Sequence, residues 1–156
     1  MKRRSFLILA TLLALIPFVP TNSTNRWEII KATFDHLFPK NSRFKGAQDF
    51  HLLEFLKDSI DNRYFDKEDI FLLLDGAQKL YEINNDFEFL KSDEKEKILR
   101  QFEQNNDGQL WLSKMMNYGL EGIFCDPIYG GNHNQSGWIA VAHHPGVPRP
   151  KGRYGV

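Results

Sequence analysis

Between Phe124 and Trp138 the chain carries Asp126-Pro127, then Tyr129-Gly130-Gly131-Asn132, then Gly137-Trp138, with almost no regular periodicity. Pro127 fixes its own φ and pushes Asp126 out of the helical region, so a helix arriving from the N-terminal side has to stop there. Gly130-Gly131-Asn132 can supply positive φ angles or a close backbone approach that other residues resist. Tyr129 and Trp138 are large amphipathic side chains, suited either to closing a core or to anchoring a partner. A stretch specified this heavily is more than a connector.

Upstream of it the sequence reads as helices joined by short loops. Trp27, Ile30, Phe34 and Leu37 fall at helical spacing, with Asn25 as N-cap and Pro39 just past the end. Lys40 to Gly46 is a polar, basic loop. A second amphipathic helix starts near Asp49 and carries Phe50, Leu53 and Leu56, widened by Leu52, Phe55 and Ile60. Asp66 caps a third, whose broad apolar face holds Ile70, Leu73, Leu74, Ala77, Leu80 and Tyr81. Phe87, Phe89 and Leu90 pack in the connector after Asn84-Asn85-Asp86. Ser92 caps a fourth helix with Asp93 and Glu94 against its dipole, and Ile98, Leu99 and Phe102 on its buried side. After a polar break from Gln104 to Gly108, a last helix with Leu110, Trp111, Met115, Tyr118 and Leu120 ends at Asp126-Pro127. Only Trp138 to Ala142 suggests a short extended segment. The expected fold is all-α, about five helices and an irregular Gly/Pro-rich tail.

Chemistry-bearing patterns are sparse. Gly130-Gly131 follows no strand and lacks both Gly-x-Gly-x-x-Gly spacing and a Lys-Ser/Thr, so it is not a phosphate loop. Cys125, His133, His143 and His144 match no zinc spacing, and a lone cysteine can neither form an intrachain disulfide nor hold an iron–sulfur cluster. Ser136 beside His133 has no nucleophile elbow. Glu121 and Asp126 sit near a helix end, where carboxylates usually cap. The acidic run Asp58, Asp61, Asp66, Glu68 and Asp69, interleaved with Lys57, Arg63 and Lys67, reads as a solvated face. The tail Arg149 to Arg153 either lies on a partner or frays. Catalytic, cofactor and metal residues are therefore expected to be none. With 42% apolar and 13% aromatic residues the chain is not disordered, its 156 residues suit one domain, and zero net charge gives no sign of nucleic acid as a partner.

Residues 1–24 read as an address. Lys2-Arg3-Arg4 precedes an apolar run from Phe6 to Val19, broken only by Thr11 and Pro17. As a helix that run would span about 21 Å, short of the roughly 30 Å hydrocarbon core. Arg3-Arg4-Ser5-Phe6-Leu7 resembles the twin-arginine export signal, although Ile8 stands where a lysine is usual. Cleavage near Thr21 to Asn25 and retention as an uncleaved anchor both remain open. Without Lys2, Arg3 and Arg4 the chain keeps 17 basic and 20 acidic residues, a net of −3.

The motif Asp126-Pro127-x-Tyr129-Gly130-Gly131-Asn132, followed by Gly137-Trp138 and Pro145-Gly146, resembles the C-terminal signature of the gluconate 2-dehydrogenase subunit 3 family. Gly119, Glu121, Gly122 and Phe124 lead into it as that family's pattern does, whereas residues 26–110 share only helical patterning and Leu37-Phe38-Pro39. The resemblance implies a small non-catalytic subunit, a helical domain over 25–156 with a docking loop at 125–146. Its expected partners are a large flavoprotein carrying FAD, a multihaem cytochrome c subunit and the twin-arginine translocase. The complex would convert gluconate to 2-ketogluconate in the periplasm, at the outer face of the inner membrane. Asp126, Tyr129, Gly130, Gly131, Asn132, Gly137 and Trp138 would shape the partner interface, and Arg3, Arg4, Phe6 and Leu7 the export signal. A stand-alone exported binding or chaperone protein is the alternative, and a small metal enzyme using Cys125 and the histidines a third.

Overall fold

The computed structural model describes residues 23–153. The export-signal residues Arg3, Arg4, Phe6 and Leu7 lie outside them. Six α-helices follow in order: α1 Ser23–Leu37, α2 Leu52–Ile60, α3 Lys67–Ile83, α4 Ser92–Phe102, α5 Asn106–Phe124 and α6 Ser136–Ala140. Three short 3₁₀ turns, Phe87–Phe89, Pro127–Tyr129 and His133–Gln135, join them. The all-α expectation holds for the described residues, with one helix more than the sequence suggested.

α1 runs through the middle of the bundle and touches α2, α3, α4 and α5. Its Ile30 and Phe34 meet Leu56, Leu73, Leu80, Phe87, Trp111 and Met115 in one fully buried core. Each such side chain contributes about 1.5–3 kcal/mol by leaving water. Trp111 brings a polar atom inside and satisfies it, since its indole N–H donates to the Leu73 carbonyl at 2.9 Å. Gly76 makes that possible: a Cβ there would lie 2.1 Å from the indole ring. On α5, Gly119 and Gly122 play the same part. A Cβ on Gly119 would strike Phe38 at 2.1 Å, and one on Gly122 would meet Leu52 at 2.7 Å.

Several local expectations need correction. Asn25 lies inside α1, which is already helical at Ser23, so it is not the cap. α2 begins at Leu52 rather than Asp49, because His51 takes a left-handed backbone (φ 55°) that breaks the helical register. Asp49 instead receives the Gly46 N–H and the Lys40 ammonium, and Phe50 is buried in the turn ahead of the helix. Ser92 is the first residue of α4, not its cap, and Glu94 accepts the Lys91 N–H at 3.0 Å. The break before α5 is shorter than expected, for Asn105 caps the helix by accepting the Gly108 N–H at 2.8 Å. Phe89 does not pack; it is 77% exposed while Phe87 is fully buried. Trp138 to Ala142 is not extended: Ser136–Ala140 is helical, which turns Trp138 inward. The capping role of Asp66 is as expected, its carboxylate accepting the Glu68 N–H at 2.8 Å.

Candidate functional site

The C-terminal loop is held from within by Asn132. This residue is fully buried in the left-handed region (φ 46°, ψ 46°), a conformation asparagine adopts more readily than most. Its N–H donates to the Gly122 carbonyl at 2.6 Å and its Nδ2 to the Cys125 carbonyl at 3.0 Å, which ties it to the end of α5. Its Oδ1 accepts the Gly137 N–H at 2.9 Å and its own carbonyl accepts the Gln135 N–H at 2.8 Å, which ties it to the start of α6. Every backbone and side-chain polar group of Asn132 is thereby partnered inside the chain.

The flanking glycines let these pieces approach. A Cβ on Gly131 would lie 2.5 Å from the Gly122 carbonyl oxygen, and one on Gly137 would lie 2.0 Å from that of Ile123. Gly130 has φ 95°, the left-handed region where side chains are strained. Of the two glycines in the motif, one serves conformation and the other proximity.

Asp126 works as an N-cap and an ion-pair partner at once. One carboxylate oxygen accepts the Ile128 N–H at 3.1 Å, and the other takes Arg149 Nε at 3.1 Å and Nη2 at 2.9 Å. The same guanidinium lies 4.6 Å from the centre of the Trp138 ring. Trp138, only 6% exposed, donates its indole N–H to the Phe124 carbonyl at 2.8 Å. Arg153 donates to the Ile128 carbonyl. The basic tail therefore folds back over its own loop.

Among the seven interface residues named from sequence, Gly131, Asn132, Gly137 and Trp138 are buried, so they set the loop's shape from beneath. Asp126 and Gly130 are half-buried and Tyr129 is 39% exposed. Around them lie side chains that sequence reasoning passed over, Ile139 at 72% and Val141 at 48% exposure. Once Trp138 turns inward, strand alternation as well as the helix would set Ile139 and Val141 outward, so the sequence already held this signal.

The other candidates are scattered. The His133 ring meets that of His51 at 4.7 Å, while His143 packs on Trp138 at 5.6 Å. Among the described residues, no three His, Cys, Asp or Glu side chains gather to hold a metal. Ser136 Oγ is buried without a hydrogen-bond partner, so it makes no bond to His133. Burial pushes the Cys125 thiol up from its ordinary value. One acidic residue is more than a solvated face: Asp69 takes Lys114 at 2.7 Å and the Tyr118 hydroxyl at 2.5 Å, and Tyr118 stacks on Phe65. Those partners are 45 and 49 residues away, and nothing local marks the pairing. No described helix is long and apolar enough to cross a membrane.

Fold and site together define a small helical protein whose C-terminal loop is a pre-ordered surface feature. The family model for gluconate 2-dehydrogenase subunit 3 matches residues 24–146, spanning the bundle and the whole loop, and the chain belongs to that family. By its name this is a family of subunits of a dehydrogenase complex. No curated protein and no solved structure matches the chain.

Proposed function

We propose that this chain is a non-catalytic accessory subunit of a periplasmic gluconate 2-dehydrogenase-like complex. Its loop docks on a large FAD-bearing flavoprotein, which oxidises a sugar acid such as gluconate to its 2-keto form. A multihaem cytochrome c subunit then passes the electrons onward. Arg3-Arg4-Ser5-Phe6-Leu7 carries the folded flavoprotein out through the twin-arginine translocase. One observation carries the reading. The loop is ordered by bonds from the Asn132 side chain to the neighbouring backbone, while Tyr129, Ile139 and Val141 are left exposed beside it. An apolar patch on a rigid support is what a docking surface requires.

The test is co-purification of the flavoprotein with the tagged chain. Tyr129→Ala combined with Ile139→Ser should reduce the captured flavoprotein without lowering this chain's thermal midpoint, since both side chains are exposed. Capture at the wild-type level would remove the loop from the interface. Arg3-Arg4→Lys-Lys should leave flavoprotein activity in the cytoplasm, and normal periplasmic activity would end the carrier role.

A further inference from the structure

A groove of about 560 Å³ opens between the end of α2, the turn after it and the C-terminal loop. That volume falls within the roughly 300–1,000 Å³ of sites that hold a ligand. Phe55, Tyr64, Phe65 and Tyr129 line it with aromatic surface, of which Tyr64 is 65% exposed. Two carboxylates, Asp58 and Glu121, share this lining with a single cation, Arg153.

Among the described residues, neither Asp58 nor Glu121 makes an ion pair. The nearby cations make their hydrogen bonds elsewhere, although Arg153 reaches the same side of Gly130 as Asp58. Lys114 bonds Asp69 at 2.7 Å, Arg63 bonds the Tyr64 hydroxyl at 2.6 Å and Arg153 bonds the Ile128 carbonyl. Burial, with Asp69 adding to it and Lys114 opposing, keeps the Glu121 carboxyl above its ordinary value. Asp58 and Glu121 are both exposed carboxylates on the groove wall, open to a charge from outside.

We infer that this groove receives an arginine side chain from a segment of the flavoprotein partner, stacked on the aromatic lining and paired with Asp58 and Glu121. Arginine suits the site better than lysine, because a planar guanidinium stacks on aromatic faces and presents a fork of donors to a carboxylate. The chain already uses this chemistry at the groove's margin, where Arg63 lies 4.6 Å from the Tyr64 ring centre. The inference rests on the accessory-subunit reading above.

The experiment measures capture of the flavoprotein by the tagged full chain at low and high salt. Asp58→Asn with Glu121→Gln should weaken capture about tenfold at low salt and flatten its salt dependence. Tyr64→Ala should weaken capture at both salts, and Asp93→Asn on α4, away from the groove, should leave it unchanged. Both carboxylates are exposed, so thermal midpoints no lower than wild type separate lost docking from lost folding. If the double variant captures as well as wild type, with the same salt dependence, the groove assignment is wrong and the accessory role stands. If the wild-type chain captures no flavoprotein, both readings fall.

Discussion

Replacing Asn132 by alanine removes the two side-chain hydrogen bonds that join the end of α5 to the start of α6. The buried Gly137 N–H loses its 2.9 Å acceptor, and the half-buried Cys125 carbonyl loses its 3.0 Å donor. A buried backbone group left unpaired costs about 1–3 kcal/mol, and alanine in the left-handed region about 1–2 kcal/mol. With the Cys125 carbonyl partly reachable by water, the expected loss is about 3–4 kcal/mol, a large share of the roughly 5–15 kcal/mol that holds a domain together. For a chain of this size that is a fall in Tm of about 10 °C.

Urea and thermal denaturation at pH 7 read the global loss, and hydrogen exchange at the Gly137 amide reads the local one. Asn132→Asp separates bonding from backbone strain. Aspartate tolerates the left-handed region and still accepts from Gly137, but its carboxylate faces the Cys125 carbonyl with no donor. Folding then favours the protonated form, which raises the folded pKa above the unfolded one. Stability should therefore recover as pH falls through that raised value and drop again as pH rises. Asn132→Ala within about 1 kcal/mol of wild type, or Asn132→Asp indifferent to pH between 5 and 7, would refute the view that Asn132 locks the loop.

Gly137→Ala places a methyl group against the Ile123 carbonyl, so α6 must move; a loss of about 1–3 kcal/mol in urea is expected, and a neutral result would mean the packing there is loose. Arg149→Ala breaks a two-donor ion pair to Asp126 and the contact over Trp138, at a cost of about 1–2 kcal/mol, and limited proteolysis should then cut the tail after Val141 sooner than in wild type. For Asp69, burial opposes ionisation but hydrogen bonds from Lys114 and Tyr118 outweigh it and hold the carboxyl below its ordinary value. A depressed folded pKa stabilises above the unfolded value near 3.8 and is lost as pH falls through the folded one. Asp69→Asn should accordingly lose about 2 kcal/mol at pH 7 and show a shallower acid limb; an acid limb parallel to wild type would contradict the pairing.

Helix existence was legible in the sequence because periodicity alone decides it, and each expected helix is present within a few residues. Boundaries were less so. The start of α2 depends on His51 adopting a left-handed backbone, which histidine permits but does not announce, while the apolar pattern placed the start near Asp49. In the loop, Pro127 and the glycines announced a turn correctly, yet only coordinates separate Gly130, strained by φ, from Gly131, constrained by proximity to Gly122. Trp138 had two physically sound destinies, core or anchor, and the choice follows from α6, a five-residue helix too short to show a period. Asp69 was lost among neighbouring charges because its partners come from α5.

The same support serves both exposed regions. Cys125, Tyr129 and Arg153 bring the loop to one wall of the groove, while Ile139 on α6 and Val141 just past its end sit beyond Asn132. An interface made of mobile side chains loses roughly 0.5–1.5 kcal/mol for each one immobilised on binding. Here the backbone beneath is fixed beforehand by bonds to Gly122, Cys125 and Gly137, so docking as proposed would have only side chains left to order. On the proposed docking, the buried Gly131, Asn132, Gly137 and Trp138 would act from beneath, deciding where Tyr129 and Ile139 stand.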